Sequence, residues 1–184
     1  LQSGPVHRVE WPSLVESAAK IQEENMSEVN IEQVNLLLKL YDMRREPRLR
    51  EARAWFMKNF HPQTIEDVMK ICPPGSEENA YMRQVLTYWE MVASIANRGL
   101  IEEEFFFENT GEQWGVFEQI RPVLAAWRQM FSSPKFLANL EENVTKLEAW
   151  RERRNPGSNA AIRRVMQQMR AAMQEQKTQA AAAD

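Results

Sequence analysis

The sequence predicts an all-α protein, an irregular multi-helix bundle around a central helix at residues 77–98, with an amphipathic C-terminal helix appended to it. Three observations carry that prediction. Apolar residues recur at the i, i+3, i+4 spacing of helical faces along most of the chain, and no stretch shows the alternation of a half-buried strand. Only 6 of 184 residues are glycine, too few for the turns of an all-β fold or for a glycine-rich nucleotide loop after a strand. Proline and cap residues fall between the apolar stripes, where helices start and stop. The length suits one domain that buries about two-thirds of the surface its unfolded chain exposes. With 43% apolar residues, eight Phe and six Trp, the composition is that of a folded protein and not of a disordered one.

Residues 1–10 read as an irregular lead-in or a non-native remnant, since they lack an initiating Met and a signal-peptide core. Pro12 suits a first helical position, because its missing N–H is not needed there, and Leu14, Val15, Ala18 and Ile21 form the stripe that follows. Ile31, Val34, Leu37, Leu38 and Tyr41 form the next one, and the stretch 13–44 allows one helix or two. Pro47 opens a helix with Leu49, Ala52, Arg53, Phe56 and Phe60 along one side, closed by His61-Pro62. A short helix over 63–71 turns Ile65, Val68, Met69 and Cys72 inward and stops at Pro73-Pro74-Gly75.

Ser76 is a good N-cap for the central helix, with Glu77 and Glu78 complementing the dipole. Met82, Val85, Leu86, Trp89, Val92, Ala93 and Ala96 give that helix its stripe, and Gly99 is the expected C′ residue. A short helix through Glu102–Glu108 ends at Asn109-Thr110-Gly111. A longer one follows with Trp114, Phe117, Ile120, Leu124, Trp127 and Met130, bent by Pro122 inside it. Ser133-Pro134 signals the start of a helix with Phe136, Leu137, Leu140, Val144 and Leu147 inward. Asn155-Pro156-Gly157-Ser158 divides this bundle domain, 11–154, from an appendage at 155–184. Ile162, Val165, Met166, Met169 and Met173 stripe the appended helix, which frays through Ala180–Ala183.

With the helices placed, Leu-Thr-Tyr-Trp-Glu at 86–90, continuing through Ala96-Asn97-Arg98-Gly99-Leu100-Ile101, resembles the domain of unknown function 4760 family of small helical bacterial proteins. Leu40-Tyr41-Asp42, Arg50-Glu51-Ala52-Arg53, Ile120-Arg121-Pro122 and Trp127-Arg128 look like the family's other recurring pieces, in the same order. The resemblance spans roughly residues 31–150. It implies a helical fold and a bacterial source, and it carries no activity or catalytic residue across. Relatives look membrane-tethered through an N-terminal hydrophobic helix, and residues 1–30 hold no such segment.

Charge and chemistry narrow the function. A net charge of −3, from 23 basic and 26 acidic residues, offers no basic excess for nucleic-acid binding. The basic tracts Arg44-Arg45-Glu46 and Arg151-Glu152-Arg153-Arg154 read as salt-bridged surfaces. No apolar run approaches the roughly 20 residues of a membrane span. Cys72, the sole cysteine, reads as a buried structural thiol in a reducing compartment, so a cytoplasmic location is expected. His7 and His61 pair with no metal motif, the chain has no Glu-x-x-His, and Glu102-Glu103-Glu104 point about 100° apart around their helix. No cofactor is expected.

Two functional expectations remain. The favoured one is a non-enzymatic interaction or scaffold protein whose C-terminal stripe, Ile162, Val165, Met166, Met169 and Met173, engages a protein partner or a second copy. The rival is a binding protein for an anionic small molecule, or a hydrolase. It places Glu90 on the central helix as an inward carboxylate in a polar pocket with Arg53, Arg83, Arg98 or Arg121.

Overall fold

In the computed structural model, residues 29–183 are described, except for the side chains of Arg170, Met173, Gln174 and residues 176–183. The predicted first helix, with Leu14, Val15, Ala18 and Ile21, lies outside the described residues. Those described form helices joined by turns, with no strand among them: α1 (Ile31–Arg45), α2 (Pro47–Asn59), α3 (Ile65–Ile71), α4 (Glu77–Asn97), α5 (Glu103–Asn109), α6 (Glu112–Ile120), α7 (Leu124–Met130), α8 (Ala138–Arg154) and α9 (Ser158–Ala183).

Local chemistry sets most of these boundaries. Asn30 starts α1 afresh by accepting from Glu32 N and Gln33 N, both at 3.0 Å. Glu46 ends α1 and caps α2 by accepting from Leu49 N at 2.8 Å, with Pro47 in the first helical position. Thr64 and Asp67 form a capping box on α3, and Ser76 accepts from Asn79 N to start α4. The α4 terminus turns through Gly99 at φ +71°, a left-handed conformation in which a side chain would be strained.

Helix α4 packs between α2 and α8 and also touches α5. Val85, Trp89, Val92 and Ala93 on α4 are sealed from solvent, as are Phe56 and Phe60 near α2, whose rings stack 4.6 Å apart. Leu140, Val144 and Leu147 complete the core from α8. Fully burying side chains of this size stabilises the fold by roughly 1.5–3 kcal/mol each, so the α2–α4–α8 sandwich is a principal source of hydrophobic stabilisation.

Several expected faces differ. On α1, Ile31, Leu38 and Tyr41 are exposed, while Gln33 and Leu40 turn inward. Buried Gln33 accepts from Glu102 N at 3.1 Å, and the Tyr88 hydroxyl donates to Leu40 O at 2.7 Å. These two polar ties set the rotation of α1. Met69 and Met130 are likewise exposed rather than inward. The long helix expected through Pro122 is broken instead of bent. α6 ends at Ile120, residues 121–123 form a turn, and α7 restarts at Leu124 without a side-chain cap. Proline at 122 cannot donate to the carbonyl four residues back, and its ring clashes with that turn.

The Ser133-Pro134 signal also starts no helix. Residues 134–137 are turns, Leu137 sits at φ +56°, and α8 begins only at Ala138.

Candidate functional site

The α8 start explains Glu90. Leu137 occupies the N-cap position but has no side-chain oxygen, so the first amides of α8 need an acceptor from elsewhere. Half-buried Glu90 provides it across the α4–α8 seam. One carboxylate oxygen accepts from Asn139 N at 3.1 Å and Asn139 Nδ2 at 2.7 Å, and the other from Leu140 N at 2.8 Å. A carboxylate at a helix N-terminus also meets the positive end of its dipole. Two turns further along α4, Asn97 donates to Asn139 O at 2.9 Å and accepts from Asn143 Nδ2 at 3.3 Å.

The four arginines do not gather around Glu90. Arg53 is bidentate to Glu112 and donates to Arg44 O at 3.2 Å. Arg98 folds back onto Ser94 of its own helix. Arg121 pairs with Glu118 and Glu148, and Arg83 is exposed. Glu90 thus has a capping arrangement with two backbone amides and one carboxamide, and no arginine among the described residues is paired with it.

Helix α9 meets the body through its first three turns. Buried Asn159 donates to Glu148 O at 2.9 Å and to Glu152 Oε2 at 3.1 Å. Arg163 bridges Glu118 and Glu148 while lying over the Trp114 ring, and Trp114 Nε1 donates to the same Glu148 at 2.8 Å. Burial pushes the Glu118 carboxyl up, but hydrogen bonds and charge from Arg163 and Arg121 outweigh this and hold it below its ordinary value. Met166 packs against the core.

The rest of the expected stripe faces away. Ile162 is 36% exposed, Val165 47% and Met169 58%. The Met173 side chain lies outside the described residues, while the helix itself continues to Ala183. Sequence reasoning missed the anchor of Glu118, Glu148, Asn159 and Arg163. Glu118 and Arg163 stand 45 positions apart, and each alone resembles any solvated surface charge.

Other chemistry is sparse among the described residues. They contain no group of His, Cys, Asp and Glu arranged to hold a metal ion, and no helix long and apolar enough to cross a membrane. Cys72 is buried in the core, and desolvation pushes its thiol up to about 12, so it is protonated at neutral pH.

Taken together, these features define an all-helical bundle with an internally capped core and an amphipathic terminal helix. The chain belongs to the domain of unknown function 4760 (DUF4760) family, which it matches over residues 30–147. The matched segment runs from the cap of α1 into α8 and stops ahead of α9. No curated protein and no solved structure matched the chain.

Proposed function

We propose that this chain is a non-enzymatic protein-interaction module that presents α9 to an acidic, amphipathic surface on a protein partner. The observation that carries this reading is the exposed apolar row Ile162, Val165 and Met169 on a helix whose inner side is already anchored by Asn159, Arg163 and Met166. The row follows the i, i+3, i+7 spacing with which helices enter apolar grooves. At 26 residues, α9 runs about 39 Å, so it offers a long contact line beyond its anchor.

Charge supports an acidic partner over a second α9. The helix carries Arg163, Arg164, Arg170 and Lys177 against the single acid Glu175, whereas the whole chain is at −3. Two such helices brought together would repel, and an acidic rim would be attracted. A bacterial source, expected from the family resemblance, and a cytoplasmic location belong to the same proposal, because a single buried thiol suits a reducing compartment.

Titration calorimetry with two synthetic helical peptides tests the reading, one with a leucine seam flanked by glutamates and the other with the same seam flanked by lysines. The acidic peptide is expected to bind at least about tenfold tighter, with the difference shrinking at high salt. The double variant Val165→Glu with Met169→Glu should lose that binding. Equal affinity for both peptides would sink the proposal. So would a stable dimer in light scattering that the double variant dissolves, since that outcome points to self-association.

A further inference from the structure

A cavity of about 230 Å³ opens between α1, α4 and α5, walled by Leu37, Leu38, Tyr88, Trp89, Val92 and Phe106. It is separate from both the Glu90 cap and the α9 face. Its volume exceeds the roughly 150 Å³ of a dry apolar cavity that takes up benzene. Its chemistry is not uniform, because Arg44, Asn109 and Thr110 also line it.

The neutral polar groups that line it offer both donors and acceptors. Thr110 donates its hydroxyl to Phe106 O and accepts from Gln113 Nε2, which leaves it one lone pair. The Tyr88 hydroxyl proton is committed to Leu40 O. Asn109 spends one amide hydrogen on Phe105 O and keeps the other, along with its Oδ1 acceptor.

Arg44 supplies the charge. Its guanidinium lies over the Tyr41 ring, 4.9 Å from the centroid, and its closest carboxylate is Glu112 at 3.6 Å. Arg53 already takes both oxygens of that carboxylate. Two guanidinium charges therefore face one carboxylate, and the surplus of one positive charge falls on Arg44, whose side chain is only 20% exposed. A planar guanidinium with unused N–H groups matches a carboxylate in shape as well as charge.

We infer that the α1–α4–α5 cavity binds a compact organic carboxylate, its apolar body among Leu37, Leu38, Val92 and Phe106 and its carboxylate on Arg44. A single surplus charge favours a monoanion over a phosphate. The same positive charge repels an amine of the same shape.

Calorimetry on the full chain with octanoate, octanol and octylamine tests this, since the three share a body and differ at the head. Octanoate should bind at least about tenfold tighter than octanol, the amine weakest, in line with one charge-assisted pair. Arg44→Gln should erase the octanoate preference while octanol binding persists, and Leu37→Trp, which fills the cavity, should weaken both. Circular dichroism confirms that each variant is folded. Equal octanoate and octanol affinities in the unaltered chain, or no octanoate uptake, overturn the inference without recourse to any variant. A preference that survives Arg44→Gln in the folded protein overturns it too.

Discussion

The α4–α8 seam and the α8–α9 contact use the same residue types to opposite ends. At the seam, a carboxylate on one helix accepts from backbone amides at the start of the next, beside apolar side chains sealed from water. At α9, carboxylates meet arginines, and Arg163 remains 36% exposed. Amides capped from another helix have no substitute acceptor if the carboxylate is lost, whereas half-exposed ion pairs can trade partners with water. The first contact therefore belongs to the cooperative core, and the second is a tether that can open by itself.

Glu90→Ala separates them most sharply. Removing the carboxylate leaves Asn139 N and Leu140 N without their acceptor at a helix start already strained at Leu137. The expected loss is about 2 kcal/mol, or roughly 4–8 °C in Tm for a chain of this size. Glu90→Gln, which keeps one oxygen, should fall between. A melting temperature within about a degree of the parent would show that water caps α8 just as well.

Arg163→Ala should act locally. It removes the bridge to Glu118 and Glu148, an effect of about 1 kcal/mol for a partly exposed network. Amide exchange over 160–169 should speed up about fivefold, with the global melt nearly unchanged. Equal acceleration throughout α4 would mean that α9 is part of the core.

Acid should reproduce that opening. Glu118 is held below its ordinary value of 4.5 in the folded chain. A lowered folded pKa gives stability that is complete above the unfolded value and lost as pH falls through the folded one. Exchange protection in α9 should thus hold at neutral pH and decline below about pH 4.5, earlier than the core unfolds. Protection that vanishes between pH 6 and 8 would assign the tether to another group.

The legibility of the sequence divides along the same line. The all-helical fold, the α4 boundaries and the Asn155-Pro156-Gly157-Ser158 break all follow from periodicity and local caps, which lie within a few residues of each other. Features that depend on distant pairing did not show. The rotation of α1 is set by Gln33 against Glu102 and Leu40 against Tyr88, and the α8 start by Glu90, 49 positions from Asn139. Glu90 reads from sequence as a candidate inward carboxylate paired with arginine, whereas its partners are two backbone amides and the Asn139 carboxamide, which no side-chain pattern announces. Arg44 was hidden in a basic tract that reads as solvated surface, because only folding sets Arg53 and Glu112 beside it.

The smallest expected effect concerns the connection that Glu90 pins. Ser132 and Leu137, both in the α7–α8 connection, are the non-glycine residues with positive φ among those described, at +49° and +56°. Leu137 is buried, so a glycine there would lose more packing than it relieves in strain. Ser132 is exposed and has no such burial to lose. Ser132→Gly relieves about 1 kcal/mol of left-handed strain and gives back part of it through the greater freedom of the unfolded chain. The net gain should be roughly 0.5 kcal/mol, or 1–2 °C in Tm. In the Glu90→Ala background the gain should be undiminished if the two ends of the connection are independent. A smaller gain there would mean that Glu90 holds the whole 131–137 turn in its strained form.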